Sequence, residues 1–192
     1  VENGSKIQTC KITFSYTDAD NNAVSRDVSF KLYLNFAPAT IEHFRYLAEN
    51  GYYNNVAVSN VDSYVEFGEF YYDGDLLKSK YAEGLDKGYY SLITKDYSLN
   101  KYLGSSKNLA RYADNLSING EFAENGIGGN KLTLSSGALV LKRDPANDES
   151  SCYNTGKGSM AITFGTSTYF DSSDKYAIIG KIVMDDGANF DD

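Results

Sequence analysis

The most informative stretch of this chain is residues 28–70, which read VSFKLYLNFAPATIEHFRYLAENGYYNNVAVSNVDSYVEFGEF. Apolar and polar residues alternate from Val28 to Leu34, which is the period of a half-buried strand. Pro38 then suits the first position of a helix, because the N–H groups of the first turn have no helical partner. Gly51 is placed to adopt the left-handed conformation that ends a helix. The stretch therefore predicts a strand followed by a helix.

The predicted helix has one apolar face. Its apolar residues recur at spacings of three and four positions and so share one side, which can cover a core; they are Ile41, Phe44, Leu47 and Ala48. Two short runs, 56–59 and 64–70, follow the helix and read as further strands. The single histidine, His43, lies beside the apolar face, and we expect it to be satisfied or exposed rather than catalytic.

The chain opens with a predicted β-hairpin. Residues 7–16 alternate between apolar and polar types, and residues 18–22 have the Asp and Asn content of a turn. The turn also matches the opening of a calcium loop. Ala23 and Ser29, however, stand where such a loop needs glycine and glutamate. We expect a turn without a metal.

Composition narrows the class of protein. The length of 192 residues fits one domain, and the 42% hydrophobic and 23% charged content is typical of soluble globular proteins. The net charge of −8, with no basic run, argues against nucleic-acid binding. No stretch approaches the roughly 20 apolar residues of a membrane span. Cys10 and Cys152 could pair, but Cys10 lies on an alternating strand face, which favours a buried free thiol.

The order of these elements resembles that of the cyclophilin family of peptidyl-prolyl isomerases. In that family a strand ending in L-x-P-x-x-A-P-x-T leads into a helix with T-V-x-N-F-x-x-L, and then into G-[FY]-Y-D-G. Residues 32–40, 41–47 and 51–55 are similar to these motifs in order and spacing.

The resemblance returns after a long interruption. Residues 118–122 are similar to the family's I-x-x-E-F, and residues 137–143 to its G-x-L-S-M-A-R. Residues 159–164 stand in the place of S-Q-F-F-I, and residues 174–183 resemble D-G-x-[HY]-x-x-F-G-x-V. The matches thus flank the middle of the chain on both sides.

The resemblance implies a mainly β fold: a closed antiparallel β-barrel of about eight strands with one clear capping helix. We expect residues 1–192 to form one such domain. Residues 71–117 replace a much shorter loop of the family and are predicted to be an insertion, a long loop with helical turns at 79–82, 99–103 and 108–115.

The resemblance also assigns the chemistry. A prolyl isomerase lowers a barrier of about 18–20 kcal/mol that amide resonance sets. In cyclophilins an arginine guanidinium donates a hydrogen bond to the prolyl nitrogen, and an apolar pocket holds the ring. The family's F-H-R falls on Val58, Ser59 and Asn60 here. Because Asn60 is neutral and shorter, and charge-assisted hydrogen bonds are about twice as strong as neutral ones, we expect a large loss of rate.

The other groove positions keep apolar character but lose polar groups. The pocket phenylalanine corresponds to Tyr64, and the glutamine of the family's M-x-Q becomes Phe67. The histidine near the end of the pocket becomes Tyr176. The groove that the resemblance implies consists of Asn60, Tyr64, Val65, Phe67, Met160, Ile162 and Tyr176.

Three functions are open. The first is a cyclophilin-like protein with lost or much reduced isomerase activity that still binds peptides or proteins, as a chaperone-like or interaction module. The second is an active but slow isomerase acting on X-Pro bonds of exported proteins, in which Asn60 or an insertion residue such as Arg111 replaces the arginine. The third is a structural module whose groove the insertion closes.

The partner expected from the resemblance is a proline-containing peptide or protein segment bound to a monomer, with no cofactor. Bacterial members of the family are often exported lipoproteins. The resemblance therefore suggests an extracytoplasmic location, with membrane attachment through a removed N-terminal lipid anchor as a further expectation.

Overall fold

A computed structural model of the chain describes residues 7–86, 117–127, 132–144 and 152–183. Its main feature is an antiparallel sheet in which eight strands are described, with helix α1 packed against it. The elements in chain order are β1 (Ile7–Thr17), β2 (Ala23–Tyr33), α1 (Pro38–Glu49), β3 (Val56–Val61), β4 (Tyr64–Asp73), β5 (Leu76–Ser79), β6 (Ser136–Leu141), β7 (Met160–Phe164) and β8 (Ile178–Ile182).

The predicted opening hairpin is confirmed. Strands β1 and β2 pair along their whole length, from Ile7 opposite Tyr33 to Thr17 opposite Ala23. The carboxylate of Asp18 accepts hydrogen bonds from the backbone N–H groups of Asp20 and Asn22, at 2.9 and 2.8 Å. This is the local pairing by which an Asp side chain stabilises a turn.

The predicted helix is confirmed as well. Helix α1 begins at Pro38, and Gly51 follows its end with a φ of 81°, in the left-handed region. Three residues of the predicted apolar face, Ile41, Phe44 and Leu47, are buried in the main core, whereas the fourth, Ala48, lies at the edge of that face and is exposed. His43 is fully buried beside them.

The fold is mainly β, as predicted. Its sheet is antiparallel and has the form of a curled half-barrel. Its ladder runs β1-β2-β8-β6-β7-β4-β3, with β5 paired to β4. Among the described residues no ladder joins the two ends, β1 and β3. Strand β1 instead approaches β4, the neighbour of β3, through side chains: the rings of Phe14 and Phe67 meet edge to face, with centroids 6.3 Å apart.

Apolar residues cover both faces of the central strands. The inner face and helix α1 enclose the main core, which includes Phe30, Leu32, Leu139 and Ile179. The outer face carries a second, smaller cluster that includes Leu134, Ala138, Val140, Ala161, Phe170, Tyr176 and Ile178. Because successive strand residues point to opposite faces, neighbouring positions such as Leu139 and Val140 belong to different clusters.

The start of the predicted insertion differs from the loop that was expected. Strand β4 continues to Asp73, and β5 returns along it, so residues 71–79 form a hairpin. Gly74 permits the tight reversal with a φ of 61°. Residues 79–82 leave β5 in a hydrogen-bonded turn, in which the N–H of Glu83 donates to the carbonyl of Ser79 at 3.2 Å, the i to i+4 bond of one helical turn. The predicted helical turns at 99–103 and 108–115, with Arg111, lie outside the described residues.

Cys10 and Cys152 do not form a disulfide with each other. Cys10 is half-buried against the main core, and Cys152 is buried. Burial raises the pKa of the Cys10 thiol. Within the described ranges, no helix has the length and apolar character needed to cross a bilayer.

Candidate functional site

Strand alternation separates the seven predicted groove residues into two sets. Val65, Phe67, Met160 and Ile162 lie on the inner face, in the main core or at its margin. Phe67, Met160 and Ile162 are each less than 5% exposed, so their side chains pack inside the protein. The structure therefore does not place these four side chains on an accessible surface with the others.

The other three predicted residues share the outer face. Asn60 on β3 is the direct partner of Glu66 on β4, and Glu66 is the partner of Ala161 on β7. Directly opposed residues point to the same side of a sheet. Because Ala161 belongs to the outer cluster, as Tyr176 does, Asn60 and Glu66 lie on that face too. Tyr64 lies two residues before Glu66, on the same side.

Asn60, the position that the resemblance assigns to the arginine, has a local partner. Its Oδ1 accepts a hydrogen bond from the backbone N–H of Asp62, at 2.9 Å. This pairing closes the two-residue turn between β3 and β4, as Asn side chains commonly do. The side chain is thus bent toward its own turn.

Four aromatic rings cover the outer face beside Asn60, and we call them the aromatic cluster: Tyr64, Tyr169, Phe170 and Tyr176. Tyr64 meets Phe170 edge to face at 5.0 Å between centroids, and Phe170 meets Tyr176 at 4.9 Å. Phe170 and Tyr176 are buried, whereas Tyr64 and Tyr169 remain partly exposed. The cluster therefore presents two tyrosine rings to solvent over a buried aromatic base.

Hydrogen bonds hold this aromatic segment on the sheet. The hydroxyl of Tyr176 donates to the carbonyl of Tyr169, and the hydroxyl of Tyr169 donates to the carbonyl of Arg143. Burial raises the pKa of Tyr169. Burial also raises the pKa of Tyr64, with smaller contributions from two nearby carboxylates. Both tyrosine hydroxyls therefore stay protonated near neutral pH.

An ion pair lies beside the aromatic cluster. The ammonium of Lys142, just after β6, is 2.7 Å from Oε1 of Glu66 and 5.3 Å from the centroid of the Tyr169 ring. The hydroxyl of Ser159 is 3.5 Å from the same Glu66 oxygen. A buried carboxylate requires such compensation, because removing a charge from water is costly. The pair thus places one positive and one negative group on the outer face.

Arg143 lies deeper, behind Tyr176. Its guanidinium carbon is 4.4 Å from the Tyr176 ring centroid and 4.9 Å from that of Tyr153. Its Nε donates to the carbonyl of Lys175 and its Nη1 to that of Asp144. Arg143 therefore supports the aromatic cluster from below rather than facing the surface beside Asn60.

The family motifs assign no site role to four residues that the structure places on the outer face: Glu66, Lys142, Tyr169 and Phe170. One signal for Glu66 was present in the sequence, because alternation along β4 separates Tyr64 and Glu66 from Val65 and Phe67. No local pattern could assign Lys142, since its partner lies on another strand.

Comparisons with known proteins give structural matches only. No family model matches the chain, and no curated protein matches its sequence. A cyclophilin-type peptidyl-prolyl cis-trans isomerase of Cryptosporidium parvum, solved in the presence of the dipeptide Ala-Pro, is 18% identical. That match covers 83% of this chain and 73% of the other, with a TM-score of 0.48. Another structure of that isomerase is 16% identical over 83% and 72% of the two chains, with a TM-score of 0.47.

A cyclophilin from Hirschia baltica is 11% identical, and the match covers 91% of this chain and 66% of that one, with a TM-score of 0.41. At these identities a likeness concerns the fold alone. In its fold, this chain is similar to cyclophilin-type peptidyl-prolyl isomerases.

Proposed function

We propose that this protein is a cyclophilin-like peptide-binding module with little or no isomerase activity. Its ligand would be an extended, proline-containing segment of a peptide or protein. The proposed binding surface is the exposed part of the outer face, bounded by Asn60, Tyr64, Glu66, Lys142 and Tyr169.

The observation that carries this proposal is the partly exposed pair of rings, Tyr64 and Tyr169, beside polar groups on one sheet face. Aromatic rings supply a large apolar contact area for a ligand side chain such as proline. The neighbouring amide of Asn60 and ammonium of Lys142 are donors that suit peptide carbonyl groups. A binding site for an extended peptide needs this combination of an apolar surface and a few fixed polar groups.

Two features argue for weak catalysis. Asn60 is neutral and its side-chain carbonyl is bound to the turn at Asp62. The ammonium that reaches this part of the face, Lys142, is engaged with Glu66. A strong, preorganised donor aimed at the prolyl nitrogen is what stabilises a twisted amide, and a donor engaged elsewhere stabilises it less.

Binding is tested by titrating the protein with an Ala-Ala-Pro-Phe peptide and following amide chemical shifts. We expect shifts at residues of the outer face, and about tenfold weaker binding after Tyr64→Ala. Tyr72→Ala is the matched control, since Tyr72 is an exposed tyrosine on the β4–β5 hairpin. Unchanged shifts along the outer face would contradict the proposal and favour a structural module.

Catalysis is tested with the same peptide by exchange NMR, which measures cis-trans interconversion at equilibrium. We expect an added rate far below that of an active cyclophilin at equal concentration. A rate within about tenfold of the active enzyme would favour the alternative, a slow isomerase acting on X-Pro bonds.

We further propose that the protein is an extracytoplasmic monomer, on the basis of the sequence resemblance alone. Fractionation of the source cells and light scattering of the purified chain test these two points. Recovery in the cytoplasm, or a mass of twice the chain, would contradict the corresponding point.

A further inference from the structure

We propose that Lys142 supplies the positive charge of this site and that Glu66 restrains it. Lys142 would then be the residue that contacts the substrate amide, and Glu66 the residue that limits the rate. This inference rests on the proposed function, because it requires a peptide on the outer face.

The position of the Lys142 ammonium is the first argument. The backbone N–H of Lys142 pairs with the carbonyl of Ser159, next to β7, while its side chain reaches past β7 to Glu66 on β4. Glu66 is the direct partner of Asn60 on β3. Directly opposed residues have Cα atoms about 4.5–5.5 Å apart. The ammonium therefore contacts β4, the direct neighbour of the strand that carries Asn60.

Exposure is the second argument. The Lys142 side chain is 24% exposed and that of Glu66 is 6% exposed, so Lys142 is the more accessible member of the pair. An ammonium carries three N–H donors. Glu66 Oε1 accepts one of them at 2.7 Å. The solvent-facing side of the group can donate to a ligand that lies on the rings of Tyr64 and Tyr169.

The chemistry follows from the nature of amide resonance. A hydrogen bond from Nζ of Lys142 to the prolyl nitrogen would withdraw its lone pair from resonance and lower the barrier to rotation about the C–N bond. The step makes and breaks no covalent bond, and the proton stays on Lys142. The nearby Glu66 carboxylate competes for the same ammonium and offsets its charge, so the donor is weakened.

Removal of the restraining charge is the direct test. Glu66→Gln keeps the shape of the side chain and a carbonyl acceptor, but it removes the negative charge. We expect the isomerisation rate constant for the Ala-Ala-Pro-Phe peptide, measured by exchange NMR, to rise about tenfold. Lys142→Met in the Glu66→Gln background should abolish the gain, and Lys142→Arg in that background should retain it.

A second ion pair provides a matched control. Lys78 and Asp73 on the β4–β5 hairpin are also 2.7 Å apart. Asp73→Asn removes the nearer of the two carboxylates beside that lysine, since Glu83 also lies 3.7 Å from it, and it should leave the rate unchanged. Glu66→Met, which roughly conserves volume, is the second variant if Glu66→Gln does not fold, as judged from its amide spectrum.

The outcomes separate the two proposals. A gain that depends on Lys142 supports the inference. A folded Glu66 variant without a gain, or a gain that survives Lys142→Met, would overturn it while peptide binding stands. If the peptide causes no shifts on the outer face, the proposed function fails, and this inference fails with it.

Discussion

The carboxylate of Glu121 caps the start of helix α1 by bonding to Thr40, although 81 positions separate the two residues in the sequence. Oε1 accepts hydrogen bonds from the backbone N–H and the hydroxyl of Thr40, at 2.5 and 2.7 Å, and Oε2 accepts one from the N–H of Ala39 at 3.2 Å. The preceding residue, Ala37, offers no side-chain cap. A distant acid thus satisfies N–H groups that every helix start leaves without a helical partner.

Removal of this cap should destabilise the fold. Glu121→Ala leaves buried N–H groups without acceptors, and we expect it to lower the free energy of unfolding by about 2–3 kcal/mol. Glu121→Gln should cost less, because an amide oxygen still accepts. Urea unfolding measures both. The control is Glu49→Ala, which removes an exposed ion pair with Arg45 and should change stability by less than about 0.5 kcal/mol.

Buried His43 should make stability depend on pH. Its Nε2 contacts the carbonyl of Lys157, and burial lowers the pKa of the imidazole to about 4. The unfolded chain therefore binds more protons between the unfolded pKa of about 6.5 and the folded one. Stability is fully present above about pH 6.5 and falls as pH drops toward 4, by up to about 3 kcal/mol.

His43→Gln removes that titration while keeping a possible donor to Lys157. Urea unfolding at pH 7 and pH 4.5 should show a larger loss in the natural chain than in the variant. Burial raises the pKa of Glu121, which acts in the opposite direction, because stability from that group rises as pH falls. The difference between the stability losses of the natural chain and of the variant gives the contribution of His43. Equal losses would contradict this prediction.

Gly68 and Gly74 both have a positive φ, but a Cβ would clash with other atoms only at Gly68. Alanine variants at the two positions therefore distinguish the cost of backbone strain from the cost of a steric clash. Gly68 has a φ of 112°, and a Cβ there would lie 2.5 Å from the carbonyl oxygen of Gly158. Gly74 has a φ of 61°, and a Cβ there would have no other described atom within 4 Å. We expect Gly74→Ala to cost about 1 kcal/mol, and Gly68→Ala more than about 3 kcal/mol. Thermal or urea unfolding compares them, and equal losses would mean that the backbone beside Gly68 can move apart.

Phe170 should dominate the stability of the outer face. It is fully buried and contacts the rings of Tyr64, Tyr169 and Tyr176. Phe170→Ala should lower the free energy of unfolding by about 3–5 kcal/mol, through lost apolar burial and the cavity left behind. Tyr72→Ala, on the exposed hairpin, should change it by less than about 0.5 kcal/mol. A small effect at Phe170 would show that the aromatic cluster does not hold the face together.

The candidate site was only partly predictable from motifs. The family motifs placed Met160 and Ile162 with Tyr64 in one groove, but a strand assigns its residues to alternate faces. Glu66, which lies between two core residues of β4, has the orientation that the site requires. That alternation was visible in the sequence. Which of the two faces is covered by helix α1, and which stays partly exposed, depends on the packing of the whole sheet.

The local elements could be predicted from the residues alone: the opening hairpin, the strand before the helix, and the helix with its buried face. They follow from periods of two and 3.6 residues and from the conformations that Pro38, Asp18 and Gly51 favour, all of which act within a few residues. The contacts of Lys142 with Glu66 and of Glu121 with Thr40 arise only in the folded chain. Such pairs join strands and loops far apart in sequence, and their chemistry becomes specific only when the sheet brings the two side chains within hydrogen-bonding distance.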